Sequence, residues 1–134
     1  MLARVNSGAV YGVNAFSVEI EVNAGRGDSQ FVIVGLPDAA VRESKDRVWT
    51  AMNNSGFRPT LGRTTINLAP ADVKKEGPVY DLPIAAGLLA ATGSAEMPHL
   101  DRFALIGELA LSGEVRRVRG VLPVTLEMRR RGMQ

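Results

Sequence analysis

Apolar and polar residues alternate loosely from Leu2 to Val10 and strictly from Ala15 to Val22. In the second run Phe16, Val18, Ile20 and Val22 fall on one side, and Ser17, Glu19 and Glu21 on the other. A period of two is the signature of a half-buried strand. With the turn residues Tyr11-Gly12-Val13-Asn14 between them, the two runs predict an opening antiparallel hairpin. Asn23 to Ser29 reads as a loop, and the wholly apolar Phe31 to Val34 predicts a short strand lying centrally in a sheet.

After Gly35-Leu36-Pro37 the period changes. Val41, Val48, Ala51 and Met52 recur at helical spacing, with Arg42, Glu43, Lys45, Asp46 and Arg47 on the remaining faces. Asp38 is placed to cap that helix, and Asn53 to Gly56 to end it. Trp49 borders the stripe and reads as a core or domain-interface residue rather than a base-stacking platform. Thr64 to Leu68 predicts a strand stopped at Pro70. A polar loop through Lys74-Lys75-Glu76-Gly77-Pro78 then enters an Ala/Leu-rich helix near Leu82, capped by Asp81, with Pro83 tolerated in its first turn. Further on, Phe103 to Ile106 reads as a buried strand, and Leu109 to Leu111 and Val115 to Val118 as short strands around Ser112-Gly113. A last helix from about Val121 places Val121, Val124, Thr125 and Met128 on one face and ends at Gly132. The pattern predicts six or seven strands and three helices around a single sheet, an α/β (α+β) domain without linker or repeat.

At 134 residues the chain suits one domain able to bury a core. It contains no cysteine, which removes disulfides and thiolate metal sites and fits a cytoplasmic location. No apolar run approaches the roughly eighteen residues of a membrane span, and no membrane partner is expected. The net charge is only +2, but Arg116, Arg117, Arg119, Arg129, Arg130 and Arg131 crowd the last stretch. These six, with Lys74 and Lys75 on the display loop, are the candidate contacts for nucleic-acid phosphates. A solvated face or a junction with a neighbouring module is the plainer reading of the same arginines.

Other chemistry is thinner. No Gly-x-x-x-x-Gly-Lys-Ser/Thr phosphate loop occurs, so no ATP site is expected in this chain. Gly25-Arg26-Gly27-Asp28 precedes a strand rather than a helix and is a poor phosphate cradle. Asp72, Glu76 and Asp81 sit close in sequence, but solvated ion pairs with the loop lysines and a helix cap account for them better than a metal site. His99 has no second ligand nearby. Ser44, Ser55 and Ser112 lack any signature that would place them beside a lysine.

The Glu76-Gly77-Pro78 segment before a small-residue helix resembles the part of Lon-type proteases that carries the nucleophilic serine. Gly107 to Arg116 and Arg119-Gly120-Val121-Leu122 resemble the strand pair and lysine segment of that family. Val79 stands at the serine position and Leu122 at the lysine position. A valine has no nucleophilic atom and a leucine accepts no proton, so the Ser–Lys dyad is absent at these positions. A longer match involves Phe31 to Ser44, Asn67 to Asp72, Asp81 to Ala85 and Arg119 to Pro123. In these motifs the chain resembles the N-terminal domain of the ComM/YifB family of Mg-chelatase-like AAA+ ATPases.

The resemblance implies a Lon protease C-terminal-domain-like, ribosomal-protein-like βαβ fold over residues 1–134, with the AAA+ module following. It implies no cofactor in this chain, and ATP with Mg in that module. It also implies a homo-hexamer whose partners are its own AAA+ module and single-stranded or branched DNA, acting in DNA branch migration during natural transformation and recombination. The alternatives are a protein-interaction module without nucleic-acid affinity, a Mg-chelatase subunit and a Ser–Lys peptidase.

Overall fold

The computed structural model describes residues Met1–Gln134. The opening hairpin is as the alternation predicts: β1 (Leu2–Tyr11) and β2 (Asn14–Ala24) pair antiparallel from Leu2 opposite Asn23 to Tyr11 opposite Asn14. β3 (Gln30–Val34) follows, then α1 (Ala39–Arg42), α2 (Ser44–Asn54) and β4 (Arg63–Ala69). β4 pairs antiparallel with β2 and parallel with β3, giving the order β1-β2-β4-β3. The parallel pair is joined through α1 and α2, the crossover that such strands require.

The remaining elements are α3 (Asp81–Ala91), the two-residue strands β5 (Glu108–Leu109) and β6 (Val115–Arg116), and α4 (Val121–Arg130). β5 and β6 form a separate ribbon, so the single predicted sheet is a four-stranded sheet plus that ribbon.

One face of the sheet carries the core. Val5, Val18, Ile20, Val22, Ile66 and Leu68 are fully buried, with Val41 and Val48 from α1 and α2 and Ile84 and Leu88 from α3. Each such side chain contributes roughly 1.5–3 kcal/mol by leaving water. α3 is buried almost all round, which is why its sequence shows no polar stripe. Gly87 lets it lie close to the sheet, since a Cβ there would come within 2.6 Å of Val22 Cγ2. α4 buries Val124 and Met128, while Val121 and Thr125 of the predicted stripe stay exposed. It ends as predicted at Gly132, where the amides of Gly132 and Met133 reach back to Arg129 and Met128.

Several expectations are corrected. Phe31 to Val34 lies at the sheet edge, not its centre, and Val32 and Val34 are each 42% exposed. The helices cover only one side of that strand, and a continuous apolar run does not distinguish this case from burial on both sides. Phe103 to Ile106 is not a strand. It makes one bridge to β1, with Leu105 N donating to Asn6 O at 2.9 Å, while Ala104 N turns to Gln134 O. The helix capped by Asp38 breaks at Glu43 into two segments. The break accompanies the inward turn of Ser44, which is fully buried.

Candidate functional site

The display loop is tied down at both sides. Asp38 accepts from Val41 N at 2.8 Å as the N-cap of α1, and its second oxygen accepts from Gly77 N at 3.1 Å. One carboxylate thus joins two loops. Beside it Asp38 N donates to Lys75 O and Lys75 N to Leu36 O, a short parallel bridge. The expected surface role of Lys75 is corrected. It is fully buried, and its ammonium donates to Gly35 O at 2.8 Å and to Pro70 O, so it offers nothing to a phosphate on the surface. Lys74 remains exposed and pairs with Glu76 at 3.6 Å.

Asp81 is corrected as well. It is not the cap of α3 but its first residue, fully buried, accepting from Ser44 Oγ at 2.6 Å, Arg47 Nε at 2.7 Å and Leu109 N at 3.1 Å. The Asp81 contact raises the Arg47 pKa above its ordinary value. No group of His, Asp and Glu side chains is arranged to hold a metal ion.

The largest cleft, about 690 Å³, opens where these loops meet the C-terminal segment. Its walls are Gly8 to Val10 of β1, Asp38, Glu76 to Val79, Arg117 to Gly120 and Val124 of α4. Gly120 sits at φ +82°, and a Cβ there would come within 2.5 Å of Val10 Cγ2, so the segment can close against β1 only through a glycine. None of the lining residues is Ser, Thr, Cys, Lys or His. Val79, at the serine position of the Lon resemblance, lines the cleft, and Leu122 lies outside it, 69% exposed on α4. The only acidic side chains in its walls are Asp38 and Glu76, and the Ser–Lys pair of the Lon resemblance has no counterpart there.

Its charges are unequal in availability. The Asp38 oxygens are both engaged and Glu76 faces Lys74, whereas Arg117 and Arg119 make no ion pair or hydrogen bond through their side chains. Arg116, exposed on β6, is likewise free. The other predicted arginines stand apart, since Arg131 is about 10 Å along α4 from Val124 at 1.5 Å per residue. Two of them are compensated: Glu127 holds Arg130 at 2.7 Å and Arg131 at 2.9 Å, and these contacts bring its carboxyl down to about 2. Arg129 is exposed and unpaired. The predicted six-arginine cluster is therefore two groups, and Arg116, Arg117 and Arg119 form the one without a carboxylate partner. The contribution of β1 to the cleft has no signal in the sequence beyond strand periodicity.

Tyr80 closes the loop behind Val79. Its ring is fully buried and its hydroxyl finds no hydrogen-bond partner. Burial, with the charges of Asp38 and Glu76, raises the phenol well above its usual range. Tyr80→Phe is expected to stabilise the fold by about 1–2 kcal/mol in urea unfolding at neutral pH, since it removes a desolvated, unsatisfied hydroxyl. The sign of the pH effect follows. A phenol raised in the folded state ionises first in the unfolded chain, so stability falls as pH rises above about 10, and Tyr80→Phe should flatten that limb. Destabilisation by the phenylalanine would show that the hydroxyl has a partner.

Fold and cleft define a mixed α/β domain with an arginine-lined cleft that holds no serine or lysine. A family model described as Subunit ChlI of Mg-chelatase matches residues 20–134. The chain is 48% identical over 125 residues to the competence protein ComM of Haemophilus influenzae, covering 93% of this chain and 25% of that protein. It is 46% identical over 131 residues to YifB of Salmonella typhimurium, covering 98% of this chain and 26% of that protein. The chain belongs to the Mg-chelatase-like ChlI family, among the relatives of ComM and YifB. It spans about a quarter of the length of these curated relatives. A more distant match, 27% identical over 136 residues, is Lon protease 2 of Bacillus subtilis, covering 89% of this chain and 24% of that protein. That similarity agrees with a Lon-type fold for the domain.

Proposed function

We propose that this chain is the non-catalytic Lon-like domain of a ComM/YifB-type AAA+ ATPase, and that it engages single-stranded or branched DNA during ATP-driven branch migration in natural transformation and recombination. The observation that carries the reading is the pair of unpaired cations Arg117 and Arg119 in the cleft wall, with exposed Arg116 next to them in the chain. Guanidinium groups without carboxylate partners are available to phosphate oxygens, and such contacts depend little on base sequence. ATP and Mg belong to an ATPase module and not to this chain, six copies form the working ring, and the setting is the cytoplasm. No helix here is long and apolar enough to cross a membrane.

A second reading, a protein-interaction module that serves ring assembly alone, draws on Leu122 and Leu126. They lie one turn apart on α4 and are 69% and 56% exposed. Fluorescence anisotropy with labelled single strands and four-way junctions separates the two readings. Binding at low salt is expected to weaken about tenfold in an Arg116→Ala/Arg117→Ala/Arg119→Ala variant, with a salt slope shallower by about 2–3. An Arg129→Ala/Arg130→Ala/Arg131→Ala variant should lose less, because Glu127 already compensates two of its charges. Absence of binding by the wild type at low salt would leave the assembly reading.

A further inference from the structure

β3 has one strand neighbour, β4. Gln30 donates to Gly62 O at 3.4 Å on the β4 side, and a parallel ladder alternates, so Gln30, Val32 and Val34 bond inward. The N–H and C=O groups of Phe31 and Ile33 then point away from the sheet, and no bond outside the ladders involves them. Solvent-facing strand edges are ordinarily blunted by lysine, proline or a bulge. The strand Gln30-Phe31-Val32-Ile33-Val34 has none of these.

The surroundings add two features. Arg42 and Lys45 line a small hollow with Phe31, Val32 and Ile33, and neither cation makes an ion pair. Next to it Trp49, 43% exposed, walls a second hollow of about 260 Å³ with Phe31, Lys45, Asp46 and Leu61, so the cationic side of the edge is the Arg42–Lys45 hollow. Trp49 therefore belongs neither to the core nor to the cleft. An indole kept half in water beside an open strand edge is an anchor for an apolar side chain.

We infer that β3 is a docking edge for an extended acidic peptide segment of a partner protein, added as a fifth strand. Main-chain hydrogen bonds to Phe31 and Ile33 hold the segment, its carboxylates face Arg42 and Lys45, and an apolar side chain enters the Trp49 hollow. The free cations select an acidic partner over a second copy, because β3 itself carries no carboxylate to meet them. This surface is distinct from the arginine-lined cleft, and its failure or success leaves the DNA reading untouched.

The probe is a fluorescein-labelled octapeptide alternating valine and glutamate, with a valine–lysine peptide as control. The 134-residue chain is expected to bind the acidic peptide only, and Arg42→Glu/Lys45→Glu should weaken that binding at least about tenfold while conferring binding of the lysine peptide. Amide exchange at Phe31 and Ile33 should slow on binding. Charge-swapped binding that protects neither amide would overturn strand addition, and so would no binding at millimolar peptide. A dimer that buries β3 in solution, broken by Val32→Lys, would replace the peptide by a second copy.

Discussion

Replacing Asp81 by alanine is expected to destabilise the fold by about 3–5 kcal/mol, the largest loss from any single carboxylate in the chain. The reason lies in what is left behind. Arg47 would keep a guanidinium with 20% of its side chain exposed and no partner for Nε, Ser44 Oγ would lose its acceptor at 2.6 Å, and Leu109 N would be orphaned beneath the β5–β6 ribbon. Breaking one side of a buried pair is more damaging than the pair is stabilising, because Ser44 Oγ and Leu109 N lose a buried acceptor and Arg47 keeps only the long Glu43 contact at 3.5 Å as an ion pair. Asp81 also joins α2, α3 and β5 at one point, so the loss falls on their packing as a whole. Asp81→Asn retains an acceptor and should lose roughly half as much. Urea unfolding followed by circular dichroism measures both variants. A loss below about 1 kcal/mol for the alanine would mean that Asp81 is an ordinary exposed helix-start residue.

How much of this was legible follows from the range of each interaction. The hairpin, α2 and α4 are written in local periodicity, and Val18, Ile20, Val22, Val48, Ala51 and Met52 are buried as their spacing predicts. Asp38 is a cap because its partner Val41 is three residues away. Asp81 and Lys75 escape a sequence reading because their partners are distant: Ser44 and Arg47 lie 37 and 34 residues from Asp81, and Gly35 lies 40 from Lys75. An acid before a proline-containing helix and a lysine in a polar loop look solvated until tertiary structure encloses them. The position of β3 is hidden for a different reason, since an apolar run reports that a strand is buried on some side but not on how many. Among the arginines, charge was legible and availability was not. Glu127 lies three and four residues from Arg130 and Arg131 on one helix, a spacing that could have predicted their pairing.

Lys75→Ala is expected to destabilise by about 3 kcal/mol, where an exposed loop lysine would change stability by less than about 0.5 kcal/mol. Truncation empties the space of a fully buried stem and leaves Gly35 O without the ammonium that reaches it at 2.8 Å. It also removes the ammonium that bridges Gly35 O, after β3, and Pro70 O, after β4. Lys75→Met keeps the stem and removes the charge. Burial lowers the Lys75 pKa against the opposing pull of Asp72, so the folded state resists carrying that proton. Between the depressed folded value and the ordinary one near 10.4, the unfolded chain binds more protons, and stability rises with pH. Lys75→Met should abolish that rise, and at neutral pH the loss of hydrogen bonds and the relief of a buried charge offset each other to within about 1.5 kcal/mol. The Tyr80 limb runs the opposite way above about pH 10, so the slope is best measured in a Tyr80→Phe background. Urea midpoints from pH 7 upward, compared in that background with and without Lys75→Met, isolate the lysine. A rise that persists after Lys75→Met would place its origin in another group, and an alanine variant as stable as wild type would return Lys75 to the surface patch.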